Sequence, residues 1–188
     1  MMKITLGLPA QPGEEYPNGG GEGFWMSKIA DSMTRLLGKT GAQLTRVCSE
    51  QSVPSGFQTG SDLYLTLCSR TAPSDSTGQR KGLDVCYEEN SAPGKQAAEV
   101  FAARLKEVYP QPELAGTRPV PEGETVPGDD APALTIKLAY HDNPQDEAWL
   151  VNSTEEIAEK LTEAAKEVLE IPETGLQEEA PLPDEENA

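Results

Sequence analysis

The sequence predicts an α/β domain, a three-layer sandwich in which a mixed, mainly parallel sheet carries helices on both faces. Residues 3–8, 62–68, 81–87 and 133–140 alternate apolar and small or polar side chains with a period of two, the pattern of strands. Residues of about 24–38, 93–109 and 154–170 repeat apolar side chains at helical spacing instead. Strands alternating with amphipathic helices are the signature of crossover connections around a parallel sheet. At 188 residues the chain is expected to hold one domain, residues 1–171, followed by an acidic and disordered tail at 172–188.

Taken in order, Ile4, Leu6 and Leu8 alternate up to Pro9, which ends the first strand. The Gly/Pro-rich stretch 9–23 contains Gly19-Gly20-Gly21 but lacks the Lys-Ser/Thr of a phosphate loop, so it reads as a flexible loop over the sheet edge. Trp25, Ile29, Met33 and Leu36 define the first helix, which Gly38 and Gly41 end. Residues 42–48 form a weaker second strand, and 49–60 are polar loop. The central strand 62–68 leads into turns at 69–79, then a strand at 81–87 and a helix begun by Pro93. Residues 111–130, with four prolines and three glycines, are expected to be irregular. After the strand that ends at Tyr140, Ser153-Thr154-Glu155-Glu156 reads as a capping box that opens the last helix, stopped by Pro172.

Composition removes several classes of function. A net charge of −17 repels nucleic acid and anionic membrane surfaces alike. No run approaches the roughly 18 apolar residues of a membrane-spanning helix. The apolar start, residues 1–8, is too short for a signal peptide, so a cytoplasmic chain is expected. Cys48, Cys68 and Cys86 are odd in number and lack C-x-x-C spacing, which signals neither a disulfide framework nor a zinc ribbon. They are expected to be small buried thiols.

Four places in order carry a family resemblance. The strand Ser61-Asp62-Leu63-Tyr64-Leu65-Thr66-Leu67-Cys68-Ser69-Arg70-Thr71-Ala72 resembles "ADLFISIHANA", and Lys81-Gly82-Leu83-Asp84-Val85-Cys86-Tyr87 resembles "GVEVYY". Pro132-Ala133-Leu134-Thr135-Ile136-Lys137-Leu138-Ala139-Tyr140, with Asn143-Pro144 and Asp146-Glu147, resembles "PAVLVEIGF…SNPEDE", and Glu22 resembles the glutamate ahead of the first helix. Over residues 2–171 the chain thus resembles the zinc-dependent N-acetylmuramoyl-L-alanine amidases of the Amidase_3 type, which cleave the lactyl-amide bond of peptidoglycan.

The resemblance implies a degenerate member. The family binds zinc through a His after the first strand, the Glu before the first helix and a His ending the central strand, with a Glu on the late strand as general base. Here Glu22 is the one ligand kept; Leu8-Pro9-Ala10-Gln11, Cys68 and Lys137 stand at the other three places. Catalytic zinc needs three protein ligands and an open position, and an ammonium group repels a dication and accepts no proton from water. No metal, cofactor or catalytic residue is therefore expected.

The ligand-binding candidates are Glu22, Cys68, Arg70, Lys137 and His141. Lys137 is expected to pair with Glu22, its charge replacing that of zinc, in preference to holding an anionic ligand. Cys68 as a nucleophile activated by Lys137 or His141 is disfavoured, since neither an ordered base nor an oxyanion hole is indicated. His141 is expected in a solvated turn. Arg70 and Lys137 form either a small basic pocket suited to a carboxylate or phosphate, as on a peptidoglycan fragment or precursor, or two unrelated charges. The leading expectation is a catalytically inactive amidase-like protein that binds such a ligand or a protein partner. The alternatives are a residual hydrolase rebuilt around Glu22, Cys68 and His141, and a structural component of a bacterial or phage assembly.

Overall fold

A computed structural model of the chain describes residues 1–10, 13–49, 60–124 and 131–172. Six strands, β1 (Lys3–Pro9), β2 (Gln43–Ser49), β3 (Leu63–Arg70), β4 (Leu83–Glu88), β5 (Ala115–Val120) and β6 (Ala133–Tyr140), form one sheet in the order β2-β1-β3-β6-β4-β5. β1, β2, β3 and β6 run parallel; β4 lies antiparallel to β6, and β5 runs parallel to β4. The chain therefore has the mixed, mostly parallel sheet and the α/β class that its patterning predicts. Among the described residues four α-helices complete it, α1 (Glu22–Gly38), α2 (Ala92–Lys106), α3 (Pro144–Asn152) and α4 (Thr154–Val168).

The period-two pattern becomes two unlike faces. Ile4, Leu6, Leu63, Leu65, Leu67, Leu134, Ile136, Leu138, Leu83 and Val85 are fully buried in one core with Met26, Ile29, Met33, Phe101, Leu105, Ile157 and Leu161 of the helices. Each such side chain contributes about 1.5–3 kcal/mol on leaving water. Thr5, Thr66, Thr135, Cys68, Cys86 and Lys137 occupy the alternate positions and so line the second face. α1, α2 and α4 all lie over the leucine face, with α4 packed against both of the others.

Topology supplies the reason. β1 to β2 through α1 and β4 to β5 through α2 are crossovers between parallel neighbours, a connection that proteins build right-handed almost without exception. The second unit runs the opposite way along the strands and the opposite way across the sheet, so the same handedness puts both helices on the same side. The sequence reading places helices on both faces; among the described residues the long helices occupy one, and the connections at 50–59 and 125–130 lie outside them, as does the expected tail at 173–188.

Three local expectations are corrected. The stretch expected to be irregular contains a 3₁₀ turn, Pro112–Leu114, and the whole of β5. Gly116 and Pro119 hide this strand from pattern reading, and its edge position is what lets Pro119 forgo a ladder donor. Helix α3 was not foreseen as a separate element. It is opened by the Asn143 side chain, which accepts from the amides of Gln145 and Asp146, with Pro144 in the first turn. The capping box does not form: Ser153 makes no side-chain cap to α4, and its own N–H, which such a box would engage, donates to Trp149 O at the end of α3.

The sheet edge made by the C-terminal ends of β1, β3 and β6 and the start of β4 is held by two buried carboxylates. Asp146, 2 % exposed, accepts from Gly82 N at 3.0 Å, Tyr140 N at 3.0 Å and Tyr109 Oη at 2.5 Å. Gly82 has φ +119°, and a Cβ there would stand 2.6 Å from Leu114 O, so only glycine brings its amide to Asp146. Burial and the Asp146 hydrogen bond hold the Tyr109 phenol well above its usual range, keeping it a donor. Glu147 accepts from Asn18 N and Nδ2, both at 2.7 Å, and so ties the loop before α1 to α3. Asp146→Ala leaves three buried donors without an acceptor, and a loss of at least about 3 kcal/mol is expected in urea unfolding. A loss below about 1 kcal/mol would contradict this assignment.

Candidate functional site

Glu22 opens α1, which places its carboxylate at the C-terminal edge of the sheet beside the end of β3. Its Oε1 accepts from Ser69 N at 2.6 Å and from Ser69 Oγ at 2.9 Å. Ser69 Oγ also lies 2.9 Å from His141 Nδ1, and because the hydroxyl spends its one proton on Glu22, the imidazole donates in this contact. His141 Nε2 is 3.0 Å from both Thr71 Oγ1 and Glu14 Oε2, and Thr71 donates to the same Glu14 oxygen. Glu22, Ser69, His141 and Glu14 thus form one continuous polar chain from the helix start to the loop before it.

His141 is 5 % exposed and stacked on Tyr16, centroids 4.9 Å apart at 11°, which corrects the expectation of a solvated turn residue. The turn after β6 folds inward because His141 N donates to Arg70 O and the loop at 13–21 closes over the ring. That loop is pinned, not flexible: Glu15 pairs with Gly21, Tyr16 N donates to Gly20 O, and Glu22 N donates to Glu14 O. Gly20, at φ +80°, sits where a Cβ would be 2.6 Å from Trp25 Nε1, so the glycine run serves this turn. Burial pushes the Tyr16 phenol well above its usual range. Tyr16 and Ser69, which sequence reasoning missed, had no signal beyond lying near the family-like motifs.

Glu14, His141 and Ser69 have the order of an acid, a base and a hydroxyl nucleophile. Their exposure runs the wrong way for that chemistry. The Glu14 side chain is 66 % exposed, whereas Ser69 is 9 % exposed and already donates to Glu22. The chain is a latch that holds the loop to the sheet.

The expected pairing of Lys137 with Glu22 is not present. One oxygen of the carboxylate, Oε1, is engaged by Ser69, and Lys137, half-buried on β6, has among the described residues neither a hydrogen bond nor an ion pair. By register it stands between Cys68 of β3 and Asp84 of β4. Arg70 is also not free: it bonds Asp84 Oδ2 at 2.5 Å and Gly82 O at 3.2 Å, and its guanidinium lies 4.1 Å from the Tyr140 ring centroid. Arg118 reaches the same Asp84 oxygen at 2.9 Å. Arg70 and Lys137 therefore do share a neighbourhood, organised by an aspartate and a second arginine that sequence reasoning did not single out.

The set does not fit zinc. Glu22 Oε1 is committed to two donors, Cys68 Sγ is directed at Ile136 O at 3.8 Å, and the neighbouring cation is Lys137. Burial, reinforced by the Glu22 charge and opposed by Lys137, pushes the Cys68 thiol up to about 12. Among the described residues no three His, Cys, Asp or Glu side chains converge as a ligand set.

The fold defines a class first: it is the α/β fold of the N-acetylmuramoyl-L-alanine amidases. Among particular solved structures, the chain superposes on amidase AmiC2 of Nostoc punctiforme with a TM-score of 0.67, at 14% identity over 90% of this chain and 97% of that one. It superposes on the CwlD amidase of Clostridioides difficile, solved in complex with the GerS lipoprotein, with a TM-score of 0.71, at 12% identity over 92% and 100%. The catalytic domain of the CD27L endolysin gives 0.65, at 18% identity over 90% and 98%. No protein-family model and no curated protein matches the chain. Among the described residues no helix is long and apolar enough to cross a membrane.

The thiols differ in a way that can be measured. Cys48 is exposed, which corrects the expectation that all three are buried; Cys86 is buried and burial raises its thiol. A raised pKa leaves less thiolate near neutrality, so iodoacetamide at pH 7.5 should label Cys48 at least about tenfold faster than Cys68 or Cys86. Peptide mass mapping that finds Cys68 labelled first would overturn this order and restore it as a nucleophile.

Proposed function

We propose that the chain is an amidase-fold protein that acts by binding and does not catalyse metal-assisted hydrolysis. The observation that carries the reading is Lys137. A primary ammonium without a partner among the described residues stands on β6 where the resembled family keeps its general base, and it lies beside Cys68, where that family keeps a histidine ligand. Glu22, the one retained ligand residue, has its carboxylate engaged by Ser69. A dication brought there would meet a like charge and too few donors.

The ligand in this reading is related to the cell wall, a peptidoglycan fragment or precursor, recognised at the sheet edge where α/β folds bind. A protein partner is the other form of the same reading; CwlD, of similar fold, was solved with the GerS lipoprotein. The acidic surface suits a cytoplasmic setting and a partner that is not nucleic acid.

A residual hydrolase is the second reading, and one contact favours it: Glu22 and His141 share Ser69, which supplies linked acid and base groups. Cys68 lies outside that chain of hydrogen bonds, and the hydroxyl at its centre is buried.

Zinc separates the two. Purified protein incubated with zinc and desalted is expected to retain less than about 0.1 metal per chain by elemental mass spectrometry, and to release no L-alanine-terminated peptide from peptidoglycan. Lys137→Glu alone should restore neither property, because two histidine positions remain unfilled. Retention of about one zinc per chain would overturn the proposal.

A further inference from the structure

The second face of the sheet carries a group of charges that neither the latch nor the core uses. Asp84 Oδ2 accepts from Arg70 Nη1 at 2.5 Å, from Arg118 Nε at 3.0 Å and from Arg118 Nη2 at 2.9 Å. Lys137 lies directly across the β4–β6 ladder from Asp84 and has among the described residues no counter-ion. Three cations thus surround one carboxylate, a local excess of positive charge in a chain whose net charge is −17. All four of these charges act on the thiol of Cys86, and Lys137 and Arg70 act also on that of Cys68, which places them around one patch.

Exposed cations are content with water, and charge excess by itself creates no demand for a ligand. The second observation concerns buried donors. Arg70 Nε is buried and has no hydrogen-bond partner among the described residues. The Oγ1 atoms of Thr135 and Thr66 are also buried and unpartnered; Thr135 sits two residues before Lys137 on the same face, and Thr66 sits opposite Thr135. Both threonines are more than nine-tenths buried. Buried polar hydrogens without acceptors are costly, and a group that supplies acceptor oxygens relieves that cost. Arg70, fixed by Asp84, Gly82 O and the Tyr140 ring, is already in place. Among the described residues Arg118, 58% exposed, keeps Nη1 uncommitted, and Lys137 keeps its three N–H groups.

We propose that Lys137, Arg118 and Arg70, organised by Asp84, form a binding site for a compact oxyanion, a carboxylate or a phosphate, carried by a small-molecule ligand. Asp84 orients the two guanidiniums and lowers their mutual repulsion, while Lys137 supplies the uncompensated charge. The net charge of −17 disfavours large polyanions, while three local cations suit a single anionic group. This names the chemistry of the binding reading and rests on it; zinc uptake tests that reading, whereas titration of zinc-free protein with anions tests this one.

The full chain, free of zinc, is titrated with inorganic phosphate and separately with acetate, followed by calorimetry and by the side-chain N–H resonances of its arginines and lysines. Saturable binding in the millimolar range or tighter is expected, with the resonances of Lys137 and Arg118 moving. The tighter of the two anions identifies phosphate or carboxylate as the preferred group. Lys137→Gln should weaken binding about tenfold, and Arg118→Gln, at an exposed position that leaves folding intact, should weaken it severalfold. Lys95→Gln on α2 should change nothing. Absence of saturable binding by both anions up to about 50 mM, or equal affinity in the wild type and in both Lys137→Gln and Arg118→Gln, would overturn the site.

Discussion

The buried carboxylate of Asp146 is the constraint on which the working edge of this molecule depends. It gathers the amide that precedes β4, the amide at the end of β6 and the phenol beyond α2, three pieces of chain distant in sequence. Taken out of water, such a group is tolerable only when its lone pairs are filled, and the converse holds for the donors it serves. Its neighbour Glu147 does the same for the loop through Asn18. The edge is therefore held by hydrogen bonds to backbone and side chains, and no step of its construction calls for a metal. That independence lets the edge keep its geometry whatever side chains stand at its mouth.

A second consequence lies in how the two charges nearest that site are balanced. Glu22 and Lys137 were expected to neutralise each other. Instead Glu22 is satisfied by the amide and hydroxyl of one residue, Ser69, one position beyond Cys68 on the same strand. Two short hydrogen bonds to a carboxylate are charge-assisted and need no second ion to be removed from water. Among the described residues the ammonium is thereby left without a counter-ion.

Much of the fold was legible because it rests on periodicity. Ile4, Leu6 and Leu8, or Leu134, Ile136 and Leu138, announce both a strand and the face it buries, and Met26, Ile29 and Met33 sit where a helix must cover them. β5 was not legible, since Gly116 and Pro119 are tolerated only by virtue of the strand's place at the sheet edge, which is a tertiary fact. The candidate site was legible in part. Glu22, Arg70, Lys137, Cys68 and His141 all do fall at one edge, but their partners could not be read. A bulge in the β3–β6 ladder between Cys68 and Arg70 shifts the register there, so Ser69 meets Glu22 and Arg70 passes over Tyr140, outcomes that simple alternation does not foretell.

The reversal of β4 explains why a cluster of charge should form at this point in particular. Were the sheet wholly parallel, the strand next to β6 would present its last residues at the edge occupied by Arg70 and Tyr140. Because β4 is antiparallel to β6, it presents its first residues instead, and Asp84 enters beside Lys137 at that edge. β5, parallel to β4, carries Arg118 in the next row and within reach of the same carboxylate. Arg70 arrives from the other side, spanning β6 to reach it. One change of strand direction thus gathers side chains from three other strands around a single aspartate of β4, and it does so on the face that the three long helices leave to the small and polar residues.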